Sequence, residues 1–369
     1  VGSFFLGNNY FDSPYGGSFN KDLRAMGEAR TTVSVSERYT VAFGAAYSRE
    51  EVKNSFISDN SFRSFPLRRD QQGYYFENRL QFRRFFLNAG IRTEVFETPM
   101  IPASQSSGRP DLAARTTARV NPKIAAGFSL LHGMRAHGSF GTGIRPPGGF
   151  DLAFTNNPAL KAERTWSVDA GIEQSIGNRV SLDATCFFNR YSDLIVSLGG
   201  SLARLGSYRS DNLSNSRAQG AEFSARFRPG SWMMVAGSYT YLDSEVLSLD
   251  GGVGLAPQFF RVGQSLLRRP RHSGSIVGSF THKRVSANLI ACMRGETLDT
   301  EPNFGASAGL FPNPGFTNVG VNVNYHLGRG VTLYGNLRNA LNQRYEEIYG
   351  FPAQRLNFVA GIKWRFMRE

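Results

Sequence analysis

Along most of the chain, apolar and polar residues alternate with a period of two. Over 319–327 one parity reads Val319, Val321, Val323, Tyr325 and Leu327, and the other Gly320, Asn322, Asn324 and His326. Strand side chains point to opposite faces in turn, so this is a strand with one apolar and one polar face. The same split recurs over 356–366, over 180–189 and over 74–83, where only Asn78 breaks the apolar parity. No apolar stripe at i, i+3, i+4 and i+7 competes with it, which predicts little helix.

This period predicts about fifteen strands, with cores near 27–36, 40–49, 72–83, 85–96, 113–130, 133–145, 161–176, 179–195, 213–227, 232–243, 270–281, 284–296, 315–327, 330–341 and 354–366. The connections then alternate. Short ones fall at 37–39, 83–84, 132–133, 177–178, 228–231, 282–283 and 328–329, and each is followed by a long one. A soluble sandwich has no reason to keep that order. An outer-membrane barrel has one, because its turns are short on the periplasmic side and its loops long outside. In hydrocarbon every backbone N–H and C=O must be paired, and a closed sheet does this without helices. The predicted fold is therefore all-β, an antiparallel transmembrane β-barrel. Trp166, Trp232, Tyr241, Trp364 and Phe366 near strand ends fit interfacial girdles or ordinary packing.

Composition agrees. The chain has 369 residues with 41% hydrophobic and 13% aromatic content, enough to exclude disorder. Its mean hydropathy is −0.30, and no stretch approaches the ~20 apolar residues of a membrane helix. Two cysteines, Cys186 and Cys292, are too few for a disulfide framework or a thiolate metal site. With lipid parity at Cys186 and lumen parity at Cys292, both are expected unpaired. There is no initiator Met and no apolar leader, which suggests a processed or truncated chain.

Two stretches then carry a family resemblance. Gly143-Ile144-Arg145-Pro146-Pro147, followed by Asn157-Pro158-Ala159-Leu160-Lys161-Ala162-Glu163-Arg164, resembles the F-R-x-P … N-P-x-L-K-P-E region of TonB-dependent outer-membrane receptors. Ile144 and Ala162 depart from it. Residues 336–345, with Gly350-Phe351-Pro352 and Arg355, are similar to the same family's C-terminal region. Phe366 would be the closing aromatic, although Met367, Arg368 and Glu369 follow it.

The resemblance implies a barrel of about 22 strands around a plug, of which this chain would supply the C-terminal portion, residues 27–369. Residues 1–26 are expected to be the end of an extracellular loop, with the plug absent. It also implies energised uptake of a scarce large solute, such as a ferric siderophore or cobalamin, from a bacterial outer membrane. The implied partners are outer-membrane lipid and lipopolysaccharide, the TonB complex through the absent N-terminal segment, and the barrel-assembly machinery. A passive porin-like or adhesion barrel is the alternative.

No enzyme signature accompanies this pattern: G-x-S-x-G, H-E-x-x-H and a phosphate-binding G-K-[ST] loop are all missing. The five scattered histidines suggest no metal site, and no cofactor is expected. Candidate substrate contacts on the long connections are Phe62, Phe65, Arg68, Arg69, Tyr208, Arg209, Phe259, Phe260, Arg261, Tyr345 and Tyr349. Rings and guanidinium groups suit an anionic aromatic chelate. The same residues also suit loop packing or lipopolysaccharide phosphates.

The net charge of +13 would ordinarily raise nucleic acid as a partner. Strand parity points it inward instead. Arg79, Arg92, Arg135, Arg145, Arg338, Arg355 and Lys363 all have lumen parity, so no nucleic-acid partner is expected. An arginine-lined wall is expected to find its counter-charge in an acidic plug.

Overall fold

The computed structural model describes residues 2–13, 16–55, 57–105, 107–197, 209–249, 259–301 and 305–366. The first strands are β1 (Gly2–Ser13), β2 (Gly16–Ser36), β3 (Tyr39–Asn54), β4 (Leu67–Gln81) and β5 (Phe85–Thr98). They are followed by β6 (Arg115–Ser129), β7 (Met134–Arg145), the short helix α1 (Gly149–Ala153), β8 (Glu163–Ile176) and β9 (Val180–Ser197). Then come β10 (Ser210–Gly230), β11 (Met233–Ser248), β12 (His272–His282) and β13 (Val285–Arg294). The chain ends with β14 (Thr297–Glu301), β15 (Gly305–Asn313), β16 (Phe316–Gly328), β17 (Val331–Arg338), β18 (Glu346–Ile348), β19 (Phe351–Pro352) and β20 (Asn357–Trp364). Sixteen strands form one antiparallel sheet in chain order, while β14–β15 and β18–β19 are separate small hairpins.

The sheet obeys the period read from the sequence. One face carries the cross-strand row Phe43, Phe76, Ile91 and the row Ile124, Phe140, Val168, Phe188. Phe43, Phe76, Ile91, Ile124 and Val168 are exposed there. The opposite face carries Thr40, Arg79, Asn88, Ala125, Ser139 and Asp169 in one row. A sheet with its large apolar side chains outside is built for hydrocarbon. No helix among the described residues is long and apolar enough to cross a membrane, so any crossing is by strands. Trp166 lies 5.2 Å from Phe188 and 6.4 Å from Phe140 on the apolar face, an aromatic cluster toward the long-connection end.

Within the segment expected to end an extracellular loop, residues 2–13 and 16–26 form an extended hairpin. β1 and β2 pair without a break from Gly2↔Gly27 to Ser13↔Gly16. The alternation was hard to see because β2 is 21 residues long, about twice the ~9–11 that a crossing requires. Its first half carries polar residues on both faces, Asn20, Asp22 and Arg24 on one and Lys21 on the other. The fifteen predicted strands each have a counterpart in the sheet, and β1 is its sixteenth strand.

One seam interrupts the wall. The β6–β7 ladder runs from Ser129↔Arg135 to Lys123↔Gly141 and stops there. The next residue of β6 is Pro122, which has no N–H to donate. Beyond it, β6 stays paired with β5 as far as Arg115↔Thr98, and β7 stays paired with β8 as far as Arg145↔Glu163. The two strands part toward the outer rim, and the loops fill the gap: Arg115 Nη1 donates to Leu160 O at 2.5 Å.

Candidate functional site: an outer cap over a charged wall

The long connections are not independent flaps. Those after β3, β5 and β7 share a hydrophobic core of Ile57, Leu67, Ile101, Leu112, Leu152, Ala153, Phe154 and Leu160. A second core joins Leu213, Val246, Phe260 and Leu266. A fully buried arginine ties the first core together. Arg109 Nη2 donates to Ser58 O at 2.5 Å and to Pro102 O at 2.7 Å, and Nη1 donates to Ala153 O at 3.4 Å. Three connections thus converge on one guanidinium whose five donors suit several carbonyls at once. Burial pushes the Arg109 guanidinium down from its ordinary range, against the opposing pull of Asp111. Nothing in the local sequence singles out Arg109, and the sequence reading missed it.

The first family-like stretch braces this cap. Arg145 holds Glu163 through two bonds and reaches Asp151 at 3.2 Å, whose carboxylate accepts the Gly148 N–H. Asn157 Nδ2 donates to Asp211 Oδ1 at 2.9 Å, and its own Oδ1 accepts the Ala159 N–H. The second stretch does the same for the last connection. Asn339 is buried at φ +47° and donates to Gln343 O and Gln354 O. Asn342, at φ +51°, accepts from Arg355 Nε and the Leu356 N–H. Asparagine tolerates this left-handed backbone better than most residues.

The predicted substrate contacts divide sharply. Phe65 packs on the first core, Phe259 on the second, and Phe260 is buried within the second. Arg209 donates to Ser107 O at 2.9 Å, and burial lowers its ordinary value. Tyr345 stacks on Phe316 at 4.1 Å, while the Arg294 guanidinium lies 4.8 Å from the Phe316 ring. Tyr349 stacks on Phe311, and its N–H donates to Asp299. Arg69 donates to Pro147 O. Arg68 is opposite Glu51, on the outer face, and so faces away from the lumen side. Tyr208 lies outside the described residues. Phe62 and Arg261 remain exposed on the cap.

On the wall, Arg79, Arg92, Arg135 and Arg145 do share the polar face. Arg338 and Lys363 share it on β17 and β20, with Lys363 Nζ 5.1 Å from the Tyr334 ring. Arg355 precedes β20 and is bonded to Asn342. The wall supplies much of its own counter-charge, which parity alone could not reveal. Arg30 pairs with Glu77, Arg92 with Glu94, Arg135 with Glu173, and His137 lies 3.3 Å from Asp183. Strands β13, β16 and β17 carry an uncharged row instead, Asn288, Asn322 and Asn336, in which Asn322 donates to Asn336. Cys186 and Cys292 are free and exposed on opposite faces. Among the described residues, no three His, Cys, Asp or Glu side chains gather as a metal site.

With this geometry in place, the comparisons are specific. The family model described as TonB dependent receptor-like, beta-barrel, matches residues 2–340. A curated relative, the metal-pseudopaline receptor CntO of Pseudomonas aeruginosa strain UCBPP-PA14, is 21% identical over 270 residues, covering 70% of this chain and 35% of its own length. Among solved structures, the copper transporter OprC superposes with a TM-score of 0.73 at 16% identity, over 95% of this chain and 57% of that one. The siderophore receptor PiuA from Acinetobacter baumannii gives 0.72 at 14% identity, over 95% and 56%. The chain therefore spans about a third of the curated relative and somewhat over half of the matched structures. The structures so matched are named as receptors and transporters rather than enzymes. The polar-inside, apolar-outside sheet and the family match together place this chain in the TonB-dependent receptor family, as part of its β-barrel.

Proposed function

We propose that this chain forms wall and outer cap of a bacterial outer-membrane receptor that takes up a scarce metal chelate, with energy delivered through TonB. The observation that carries the reading is the cap: two packed loop cores roof a sheet whose polar face bears paired charges. Such a roof suits selective capture before passage, whereas a passive pore gains nothing from it. The relatives' names favour metal-loaded solutes, since they include receptors for metal-pseudopaline and for a siderophore and a copper transporter. Cobalamin is the competing solute class.

The same reading assigns lipopolysaccharide to the outer face, where Arg68 and Arg49 stand above exposed Tyr47 and Tyr74. Assembly would use the barrel-assembly machinery. The test is whole-cell uptake by the full-length receptor, with a panel of radiolabelled ferric chelates and cobalamin. Accumulation should need the receptor and stop when the proton-motive force is collapsed. Uptake indifferent to that collapse would establish a passive barrel instead.

A further inference from the structure

The polar face is not uniform around the sheet. From β2 to β10 it is charged: Arg30 pairs with Glu77, Arg92 with Glu94, and His137 lies 3.3 Å from Asp183. The last charged members are Glu222 and Arg226 of β10, opposite Thr240 and Ala236 of β11. From there the inward positions turn neutral. Ser238 of β11 stands beside Ser275 of β12, with their hydroxyls 2.8 Å apart. Asn288, Asn322 and Asn336 continue across β13, β16 and β17, and Cys292 and Asn318 form a second neutral row. Asn324 Nδ2 donates to Asn322 Oδ1 at 2.8 Å. On the polar face of these strands, among the described residues, cations return only at the outer ends, at Arg294 and Arg338. The titratable His326 lies near the opposite end.

The two sectors treat a passing solute differently. Charges at close quarters bind tightly or, left unpaired, suffer a desolvation penalty. Hydroxyls and amides both donate and accept, and they trade a partner for water at little net cost. Passage needs contacts that are numerous and weak, so that what enters can leave.

We propose that the β11–β17 sector is the track along which the hydrated metal chelate moves, and that the β2–β10 sector is the static side of the lumen. The inference rests on the uptake reading above and adds to it the side of the wall that the solute passes. Neighbouring groups on the track already bond to one another, so no fixed polypeptide partner is needed to satisfy them. Its occupant is the solute, whose polar surface exchanges hydrogen bonds with Ser275, Asn322 and Asn336 in turn.

The test uses the full-length receptor in cells and has two readouts. The first is thiol accessibility in a Cys186→Ser background, because Cys292 already stands exposed on the track. A membrane-impermeant maleimide is added outside to energised cells supplied with chelate. Cys292 should be labelled about fivefold faster there than after collapse of the proton-motive force. With Cys292→Ser added, a Gly141→Cys thiol on β7 should show no such increase. A Cβ at Gly141 meets only the Lys123 side chain, at 3.6 Å, so the cysteine fits, and the nearby ammonium favours the reactive thiolate. The second readout is accumulation of radiolabelled chelate. Ser275→Trp should cut it about tenfold while chelate binding to de-energised cells is retained. Thr40→Trp on the charged sector, beside an open cavity, should stay within about twofold of wild type. Labelling that rises equally at both positions or at neither, or equal losses from the two tryptophans, overturns the proposal and leaves energised uptake standing. Labelling confined to Cys292 while wild type accumulates no chelate would instead remove the uptake reading and keep this wall as the open side.

Discussion

Arg145 grips Glu163 at two points, Nε to Oε2 at 2.5 Å and Nη2 to Oε1 at 2.8 Å. The pair joins the outer ends of β7 and β8, directly beside the seam. Glu163 Oε1 also accepts the Ile195 N–H at 2.7 Å, so one carboxylate links three strands. Its side chain is only 11% exposed, whereas that of Arg145 is 51% exposed. Arg145→Ala therefore strands a largely buried charge, at a cost of about 2 kcal/mol once solvent screening at the arginine is allowed for. Glu163→Gln should cost less, because the amide oxygen can still accept the Ile195 N–H. Thermal unfolding in detergent, read as loss of the heat-modifiable gel band, should rank wild type, Glu163→Gln and Arg145→Ala in that order.

Arg109 predicts that the cap is cooperative. Replacing it with Met keeps bulk but leaves the carbonyls of Ser58, Pro102 and Ala153 without this donor, at about 3 kcal/mol. Lys should rescue poorly, since one ammonium cannot reproduce the fork. Limited proteolysis discriminates the outcome. Connections 55–66, 99–114 and 146–162 should all become cleavable together in Arg109→Met. Cleavage confined to 99–114 would show that the three are independent.

The legible part of this molecule was its period. Alternation at 319–327 or 180–189 needs only that one face meets lipid, and each such segment became a strand with the expected face outside. Three things were not legible, for physical reasons. β1 and the half of β2 that it pairs with carry polar residues at both parities, so no alternation marks them. The bonding of Arg109 depends on carbonyls from three connections, and carbonyls have no sequence signature. Phe260 and Tyr345 read equally well as ligand contacts, because an aromatic in a loop looks the same whether it caps a core or faces water. The family-like motifs were informative in another way: Arg145, Glu163, Asn157 and Asn339 brace the cap.

Asp70 gives a salt prediction. Its carboxylate lies 2.6 Å from Arg49 Nε and accepts the Tyr47 hydroxyl. Wild type should exceed Asp70→Asn in melting temperature at low salt, and high salt should narrow the gap, since Arg49 is well exposed. A gap that widened with salt would contradict the assigned pair.

Phe62 yields the sharpest test of the cap as a capture surface. It is 69% exposed at φ +60°, a conformation that costs a bulky residue roughly 1 kcal/mol or more. The turn is held from beneath: Asp59 Oδ1 accepts the N–H groups of Ser61 and Arg63, and Asp59 O accepts that of Phe62. Strain kept by three bonds under an exposed ring is consistent with a ring that is used. Two substitutions separate the effects. Phe62→Ala removes the ring and keeps the strained backbone, while Phe62→Gly removes both. Gly should raise stability relative to Ala by about 1 kcal/mol. If the ring stacks on solute, both variants should lose uptake of the cognate chelate by a similar factor of about ten, despite their different melting temperatures. Uptake that instead follows stability, higher in Gly than in Ala, would reduce Phe62 to a loop-tip residue.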